Sequence, residues 1–175
     1  MKLTIVEYPD KRLKERSKAV EKFDSELHRL LDAMYEMMIK SNGIGLAAVQ
    51  VGHAKQVLIL NIPDDNDGQP IDNLIEMINP TIIQASGEIT YQEGCLSVPS
   101  FYEDVNRYEK IAVTYQDRNS ITKTIEAEGL LSIAIQHEID HLKGILFIDK
   151  LSYSRRKKFE KEYKRVQKEK KISKE

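Results

Sequence analysis

The chain has 175 residues, of which 41% are hydrophobic and 31% charged, which is typical of one globular domain that can bury its own core. No apolar run reaches the ~20 residues of a membrane-spanning helix, so a helical membrane protein is excluded. The net charge of −1 conceals an asymmetry, because residues 154–175 carry a net charge of +7 and the rest of the chain −8.

The N-terminal residues lack the features of a targeting segment. They contain no apolar core followed by a small-residue cleavage site, and Glu7, Asp10 and Glu15 are unlike an acid-poor transit peptide. Cys95 is the single cysteine and cannot form an internal disulfide. We therefore expect a protein of the reducing cytoplasm, with no membrane partner.

The first predicted helix covers residues 24–42. Asp24 is a suitable N-cap, hydrophobic residues follow at helical spacing, and Asn42 and Gly43 tolerate the left-handed backbone that ends a helix. We expect the methionines of this segment to pack in the core. A glycine-rich turn, GIGLAAVQVG, follows at 43–52.

Short runs of β-branched and apolar residues predict strands after this turn. The runs are QVLILNI (56–62), LIEMINP (74–80), TIIQASG (81–87) and EITYQEG (88–94). The polar stretch DDNDGQP (64–70) predicts an exposed loop, and residues 111–127 predict a hairpin that turns at 117–120.

The last long apolar segment, GLLSIAIQHEIDHLKG (129–144), predicts a buried helix that ends near Gly144. Strands and helices are segregated along the chain, which predicts an α+β fold. We also expect a main domain over 1–152 and a basic C-terminal helix or tail over 153–175.

The central helix carries the metal-binding pattern HExxH. Residues four apart lie on one helix face, so His137 and His141 can bind one ion while Glu138 reaches a water on it. The alternative is two ordinary histidines and a surface acid. The flanking Ile135 and Ile139 indicate a buried helix, where each unpaired polar group costs ~1–3 kcal/mol, and this favours the metal site.

Such a site usually has a third protein ligand. One known motif, HExxHxxGxxH, supplies the third ligand as a histidine. It is excluded here, because Phe147 occupies the position of that histidine. Asp149 and the glutamates of the charged tail are poor ligands for a buried site. Cys95 alone would be interpreted as a small buried hydrophobe, but here it completes a Cys/His/His set that leaves the fourth tetrahedral position for water.

Three segments, in this order and at these separations, resemble the peptide deformylase family: GIGLAAVQ (43–50), EGCLS (93–97) and QHEIDH (136–141). The similarity extends from YPDKRLKERS to about Leu151. It implies a hydrolase with an α+β catalytic domain over 1–152, in which mixed or antiparallel strands surround the central helix that bears HExxH. Its reaction would be the removal of the N-formyl group from the initiator methionine of nascent polypeptides, with release of formate, by a metal-activated water.

The resemblance also implies roles for individual residues. The implied metal ligands are Cys95, His137 and His141. The implied catalytic residues are Glu138 as general base and acid, Gln50 and Leu96 as donors to the oxyanion, and Gly45 close to the substrate.

The substrate residues follow from their positions relative to these motifs. We expect Ile44, Leu130 and Ile133 to line a pocket for the methionine side chain, although plain core packing is an equal alternative. The peptide would extend along the backbone of Ile44 and Gly45 and of Glu93 and Gly94.

Two positions lie just outside this predicted contact surface. We expect Arg107 to pair with Glu93 or Asp140 behind the metal ligands. Tyr102 stands where many relatives have an arginine, which leaves the contacts to the distal peptide open.

Two histidines and one cysteine suit Zn²⁺ as well as Fe²⁺. The resemblance implies Fe²⁺ as the native ion, with Zn²⁺, Ni²⁺ or Co²⁺ as possible substitutes. The +7 tail, with a narrow apolar stripe of Phe159, Tyr163 and Val166, suggests a helix that contacts ribosomal RNA, or alternatively a solvated helix. We expect a monomer. A metallopeptidase and a non-catalytic metal-stabilised module on the ribosome are the alternative functions.

Overall fold

A computed structural model describes residues 1–174. These residues contain three α-helices, which are α1 (Ser25–Lys40), α2 (Gly129–Leu142) and α3 (Tyr153–Lys174). The first strands are β1 (Gly45–Ala47), β2 (Val57–Leu60) and β3 (Ile75–Ser86). The others are β4 (Ile89–Cys95), β5 (Val98–Arg107), β6 (Lys110–Gln116) and β7 (Thr122–Glu128).

The named strands form two antiparallel sheets. Five strands pair in the order β1-β2-β3-β6-β7, and β4 and β5 form a separate two-stranded ribbon. One face of the larger sheet packs on α2, whose Ala134, Ile135 and Ile139 share a cluster with buried residues of its strands. The predicted α+β fold, with antiparallel strands around the motif-bearing helix and a C-terminal helix, is confirmed.

The opposite face of the sheet packs on α1. Asp24 caps this helix by accepting a hydrogen bond from the backbone N–H of Leu27 at 3.1 Å, as predicted. The helix ends at Lys40, two residues before the predicted end, and Asn42 has the left-handed backbone expected there (φ 57°). Met34 and Met38 are fully buried, so the prediction that the methionines pack in the core is confirmed for these two.

The strand predictions were partly wrong. Residues 74–80 and 81–87 belong to one strand, β3, and not to two. The pairing of β3 with β6 shifts between Ile78 and Thr81, next to the positive φ of Asn79, and this irregularity accommodates Pro80, which has no N–H for the ladder. β5 was not predicted, because Pro99 and exposed charged residues obscure its alternation. The turn at 117–120 between β6 and β7 is confirmed.

The first half of α3 is attached to the body of the protein. Phe159 is 3% exposed and packs edge-on against Tyr8 and Phe101, with ring centroids 5.6 and 5.0 Å away. The Tyr163 hydroxyl donates to the carbonyl of Tyr8 at 3.1 Å, and Arg155 pairs with Glu103. Two members of the predicted apolar stripe therefore anchor the helix, while its last residues are exposed.

The division of the chain into a main domain and a tail at 152/153 remains a prediction. Among the described helices, none has the length and apolar character to cross a bilayer.

Candidate metal centre

Three potential ligands from two elements converge at the inner end of a groove. Cys95 ends β4, and His137 and His141 lie one turn apart on α2. One ligand atom from each lies within 4.8 Å of the other two. Residues 1–174 contain no second group of three His, Cys, Asp or Glu side chains placed in this way. The predicted ligand set is thus brought together.

The spacing of the donor atoms suits a tetrahedral metal ion. Cys95 Sγ lies 3.4 Å from His141 Nε2, which lies 3.2 Å from His137 Nε2. Metal bonds of ~2.0–2.1 Å to nitrogen and ~2.3 Å to sulfur place tetrahedral donors roughly 3.3–3.6 Å apart. One thiolate and two imidazoles are also the donor types that Zn²⁺ and Fe²⁺ accept. The residues therefore fit a bound metal.

Two N–H groups point at the sulfur of Cys95. The backbone N–H of Ser97 lies 3.4 Å from Sγ, and the side-chain amide of Gln50 lies 3.5 Å from it. Both groups can donate to a thiolate, which is the form of cysteine that binds a metal. Ser97 was not among the predicted site residues, although its place two residues after the cysteine in the EGCLS turn could have indicated it.

A buried ion cluster connects the ribbon to α2. Arg107 on β5 donates to both carboxylate oxygens of Glu93 at 2.8 Å and to Asp140 Oδ2 at 2.5 Å. Glu93 Oε1 also lies 2.8 Å from Nδ1 of His137, which turns Nε2 of that ring towards the other two ligands. Arg107 was predicted to pair with Glu93 or Asp140, and it contacts both.

The charges of this cluster are fixed by its hydrogen bonds. Burial alone would raise the pKa of Glu93, but the hydrogen bonds from Arg107 and His137 lower it to about 2. Glu93 is therefore a carboxylate that holds the Nδ1–H of His137. Burial lowers the pKa of His141, which favours the neutral imidazole that a metal ligand must be.

Glu138 lies beside the ligands in an environment suited to proton transfer. Its side chain is 3% exposed, and burial raises its pKa to about 7 against the opposing influence of His137. Among residues 1–174 its Oε2 atom has no hydrogen-bond partner, and a buried acceptor without a donor implies a water or ligand there. A Cβ at Gly45 would lie 3.1 Å from Cγ of Glu138, so glycine allows this close approach.

The two predicted oxyanion donors, Gln50 and Leu96, both lie next to Cys95. The backbone N–H of Ala47 donates to Gln50 Oε1 at 2.9 Å, which fixes the side-chain amide so that Nε2 faces Cys95 and, at 3.1 Å, Ser97 Oγ. Leu96 is the first central residue of the tight turn between β4 and β5, where the backbone N–H is not used by the turn.

The site opens into a groove of about 510 Å³, a volume typical of small-ligand sites. The predicted substrate residues all line it, and these are Ile44, Glu93, Gly94, Leu130 and Ile133. The Glu93 side chain is only 4% exposed and is held by Arg107, so a peptide could contact Glu93 only through its backbone. Tyr91 and Tyr102 also line the groove and are 42% and 63% exposed.

Comparison with known proteins assigns the chain to a family. A model described as polypeptide deformylase matches residues 2–157. The chain belongs to the polypeptide deformylase family. A peptide deformylase from Wolinella succinogenes is 57% identical over 165 residues, which cover 94% of this chain and 97% of the relative.

Solved structures of deformylases share the fold. The crystal structure of a peptide deformylase from Legionella pneumophila has a TM-score of 0.85 and 38% identity, and covers 94% of this chain and 96% of its own. The Met-Ala-Ser-bound peptide deformylase of Acinetobacter baumannii has a TM-score of 0.79 and 32% identity, and the match covers 85% of this chain and 98% of that protein. Membership of this family confirms the predicted enzyme class, a metal-dependent deformylase of nascent polypeptides.

We predict that Arg107→Leu lowers the free energy of unfolding by about 3–5 kcal/mol, because it leaves two carboxylates buried without their cation. The same change should weaken metal binding by about 10–100-fold, since Glu93 no longer orients His137. Urea unfolding and competition with a chelator measure the two effects. Arg165→Leu, which breaks an exposed pair with Glu162 and Glu169, is the control and should change neither. Equal behaviour of the two variants would contradict the structural role of the cluster.

Proposed function

We propose that this deformylase hydrolyses the N-formyl group of the initiator methionine through Glu138 and the donors that surround Cys95, His137 and His141. The observation that carries the proposal is a buried carboxylate oxygen of Glu138 that has no hydrogen-bond partner among residues 1–174. Glu138 lines the groove and lies beside a complete Cys/His/His ligand set. A bound metal would supply a Lewis acid and lower the pKa of a water towards ~7.

Glu138 moves the proton. As a carboxylate it accepts a proton from the attacking water while the oxygen of that water bonds to the formyl carbon. The carbon–nitrogen bond then breaks, and Glu138 returns the proton to the leaving nitrogen. The products are formate and a peptide with a free amino terminus. A carboxyl group whose pKa lies near neutrality can perform both transfers.

Gln50 and Leu96 stabilise the negative charge that develops on the formyl oxygen. In the free site the longer of the two contacts of Gln50 Nε2 is the one to the sulfur, at 3.5 Å, so that N–H can turn to an oxygen bound nearby. The N–H of Leu96 is available at the adjacent turn. Loss of one such donor typically lowers the rate by ~10²–10³.

The groove explains the choice of methionine. Ile44, Leu130 and Ile133 supply its apolar wall, which suits an unbranched thioether side chain. β1 pairs only with β2 and is therefore a sheet edge to which an extended peptide can add beyond the first residue. The Met-Ala-Ser in the Acinetobacter baumannii relative supports a tripeptide of this kind in the groove.

The identity of the metal ion, the cellular location and the oligomeric state are also part of the proposal. We take Fe²⁺ as the native ion, with Zn²⁺, Ni²⁺ or Co²⁺ able to replace it, because one thiolate and two imidazoles accept all of them. We also propose a cytoplasmic monomer, since the single cysteine provides no disulfide and the groove is formed entirely by one chain.

Glu138→Ala should abolish formate release from formyl-Met-Ala-Ser while the protein keeps its metal, because the proton carrier is lost and the three ligands are not. Formate release is measured on anaerobically prepared protein, and metal content by atomic absorption. Gln92→Ala, which changes an exposed side chain of the same groove, is the control and should retain activity. Formate release by Glu138→Ala at the normal rate would exclude this mechanism.

The exposed half of α3 is the proposed contact with the ribosome. Lys164, Lys168 and Lys171 lie on one side of the helix, are exposed, and take part in none of the ion pairs found in residues 1–174. Phosphate-rich RNA attracts such a surface by releasing counterions. Phe159 and Tyr163 anchor the preceding turns, so the lysines can be changed without detaching the helix.

We predict that changing Lys164, Lys168 and Lys171 together to Gln weakens co-sedimentation with ribosomes. In a plot of the logarithm of the binding constant against the logarithm of the salt concentration, the slope should become shallower by about one unit for each RNA phosphate that the helix no longer neutralises. Changing Lys18, Lys22 and Lys40 to Gln removes the same charge from other exposed positions and is the control. If both triple variants bind equally well, α3 is not the contact surface.

A further inference from the structure

Two side-chain amides fasten the loop between β2 and β3 to the glycine-rich wall of the groove. Gln69 Nε2 donates to the carbonyl of Gly43 at 3.0 Å and to that of Asn61 at 2.7 Å. In return, Asn61 Nδ2 donates to the carbonyls of Gln69 at 3.3 Å and Pro70 at 3.2 Å. Asn61 is fully buried, and we call this reciprocal pair of residues the amide brace.

The brace adds a side-chain anchor to backbone that is also held by main-chain hydrogen bonds, since the N–H of Gly43 donates to the carbonyl of Met38 at 2.9 Å and Gly45 pairs with Leu60 in the β1–β2 ladder. Residues 43–45 include two glycines, so side-chain packing can fix this segment only through Ile44. The carbonyl of Gly43 is held by Gln69, and that of Ile44 accepts the backbone N–H of Asn61 at 2.8 Å. Gln69 thus binds the carbonyl of Gly43 through its side chain, and Asn61 binds the next carbonyl, that of Ile44, through its backbone N–H.

The segment has little room to move towards the catalytic groups. A Cβ placed on Gly43 would lie 2.9 Å from a methyl carbon of Leu96, and one on Gly45 would lie 3.1 Å from Cγ of Glu138. The same backbone thus borders an oxyanion donor, the proton carrier and the path of the peptide. Neither Asn61 nor Gln69 lines the groove itself, so the brace acts from behind the wall.

We propose that Gln69 is a positioning residue that holds residues 43–45 where an extended formyl-peptide pairs with them. Gln69 thereby sets how much the residues after methionine increase kcat/KM, and it does so without touching the substrate. This inference rests on the proposed deformylase function and adds a specificity determinant to it. Because misplacement of a binding segment by about 1 Å can cost up to ~10²-fold in rate, loss of the brace has a measurable effect.

The test compares a long and a short substrate. In Gln69→Ala the ratio of kcat/KM for formyl-Met-Ala-Ser to that for formyl-Met should fall by about fivefold or more, mainly through KM of the longer peptide. Gln69→Glu keeps the side-chain length but cannot donate to the two carbonyls, and it should behave in the same way. Asn66→Ala removes an exposed amide from the same loop and should leave the ratio unchanged.

A second measurement does not depend on catalysis. Hydrogen exchange of the backbone amides at 43–45 should be faster in Gln69→Ala than in the unchanged chain, and the affinity for the tripeptide Met-Ala-Ser should be lower. An unchanged substrate ratio, or an equal loss for both substrates together with a lower melting temperature, would overturn the positioning role. If the unchanged chain releases no formate from either substrate, the proposed function fails, and exchange and tripeptide binding still decide the role of the brace.

Discussion

The contact between Arg107, Glu93 and Asp140 is the constraint on which the site depends. The cysteine ligand lies on a two-stranded ribbon, and the histidines lie on a helix that packs under a different sheet. Arg107 joins them, since it binds a carboxylate from each element within the protein interior. Burial of these charges costs free energy that only close pairing offsets, so the cluster tolerates one arrangement of ribbon and helix. That arrangement brings Cys95 to His137 and His141.

The groove follows from the same arrangement on its other side. The glycine-rich segment passes so close to Glu138 that a Cβ at position 45 would crowd the Glu138 side chain at 3.1 Å, and the amide brace binds the Gly43 carbonyl of the same segment. Catalytic groups on the ribbon and helix thus face a substrate wall built of backbone. In the proposed mechanism the chemistry resides in α2 and the turn after β4, whereas the proposed selection of the peptide depends on residues 43–45, which Gln69 contacts from outside the groove.

The sequence predicted which three side chains converge, because the two histidines have a local motif and the cysteine is the only one in the chain. The spacing of His137 and His141 follows from the helical repeat. Because position 147 is a phenylalanine and not a histidine, Cys95 was the remaining candidate for the third ligand. The anchoring of α3 through Phe159 was visible as an apolar stripe, although its partners were not. Contacts outside the recognised motifs were not predictable: the bond between Gln69 and Gly43 joins two loops, and no pattern along the chain indicates it. The prediction of two strands over 74–80 and 81–87 was wrong, because an irregularity in the pairing accommodates Pro80 within one strand.

The central claim is that Cys95 completes a three-ligand metal site with the two helix histidines. X-ray absorption spectroscopy of the zinc-loaded protein tests it most directly, because sulfur and nitrogen neighbours scatter distinguishably. The account predicts one sulfur at ~2.3 Å and nitrogen or oxygen neighbours at ~2.0–2.1 Å, with the sulfur absent in Cys95→Ala. A spectrum without sulfur in the unchanged chain, or one unaffected by Cys95→Ala, would contradict the account.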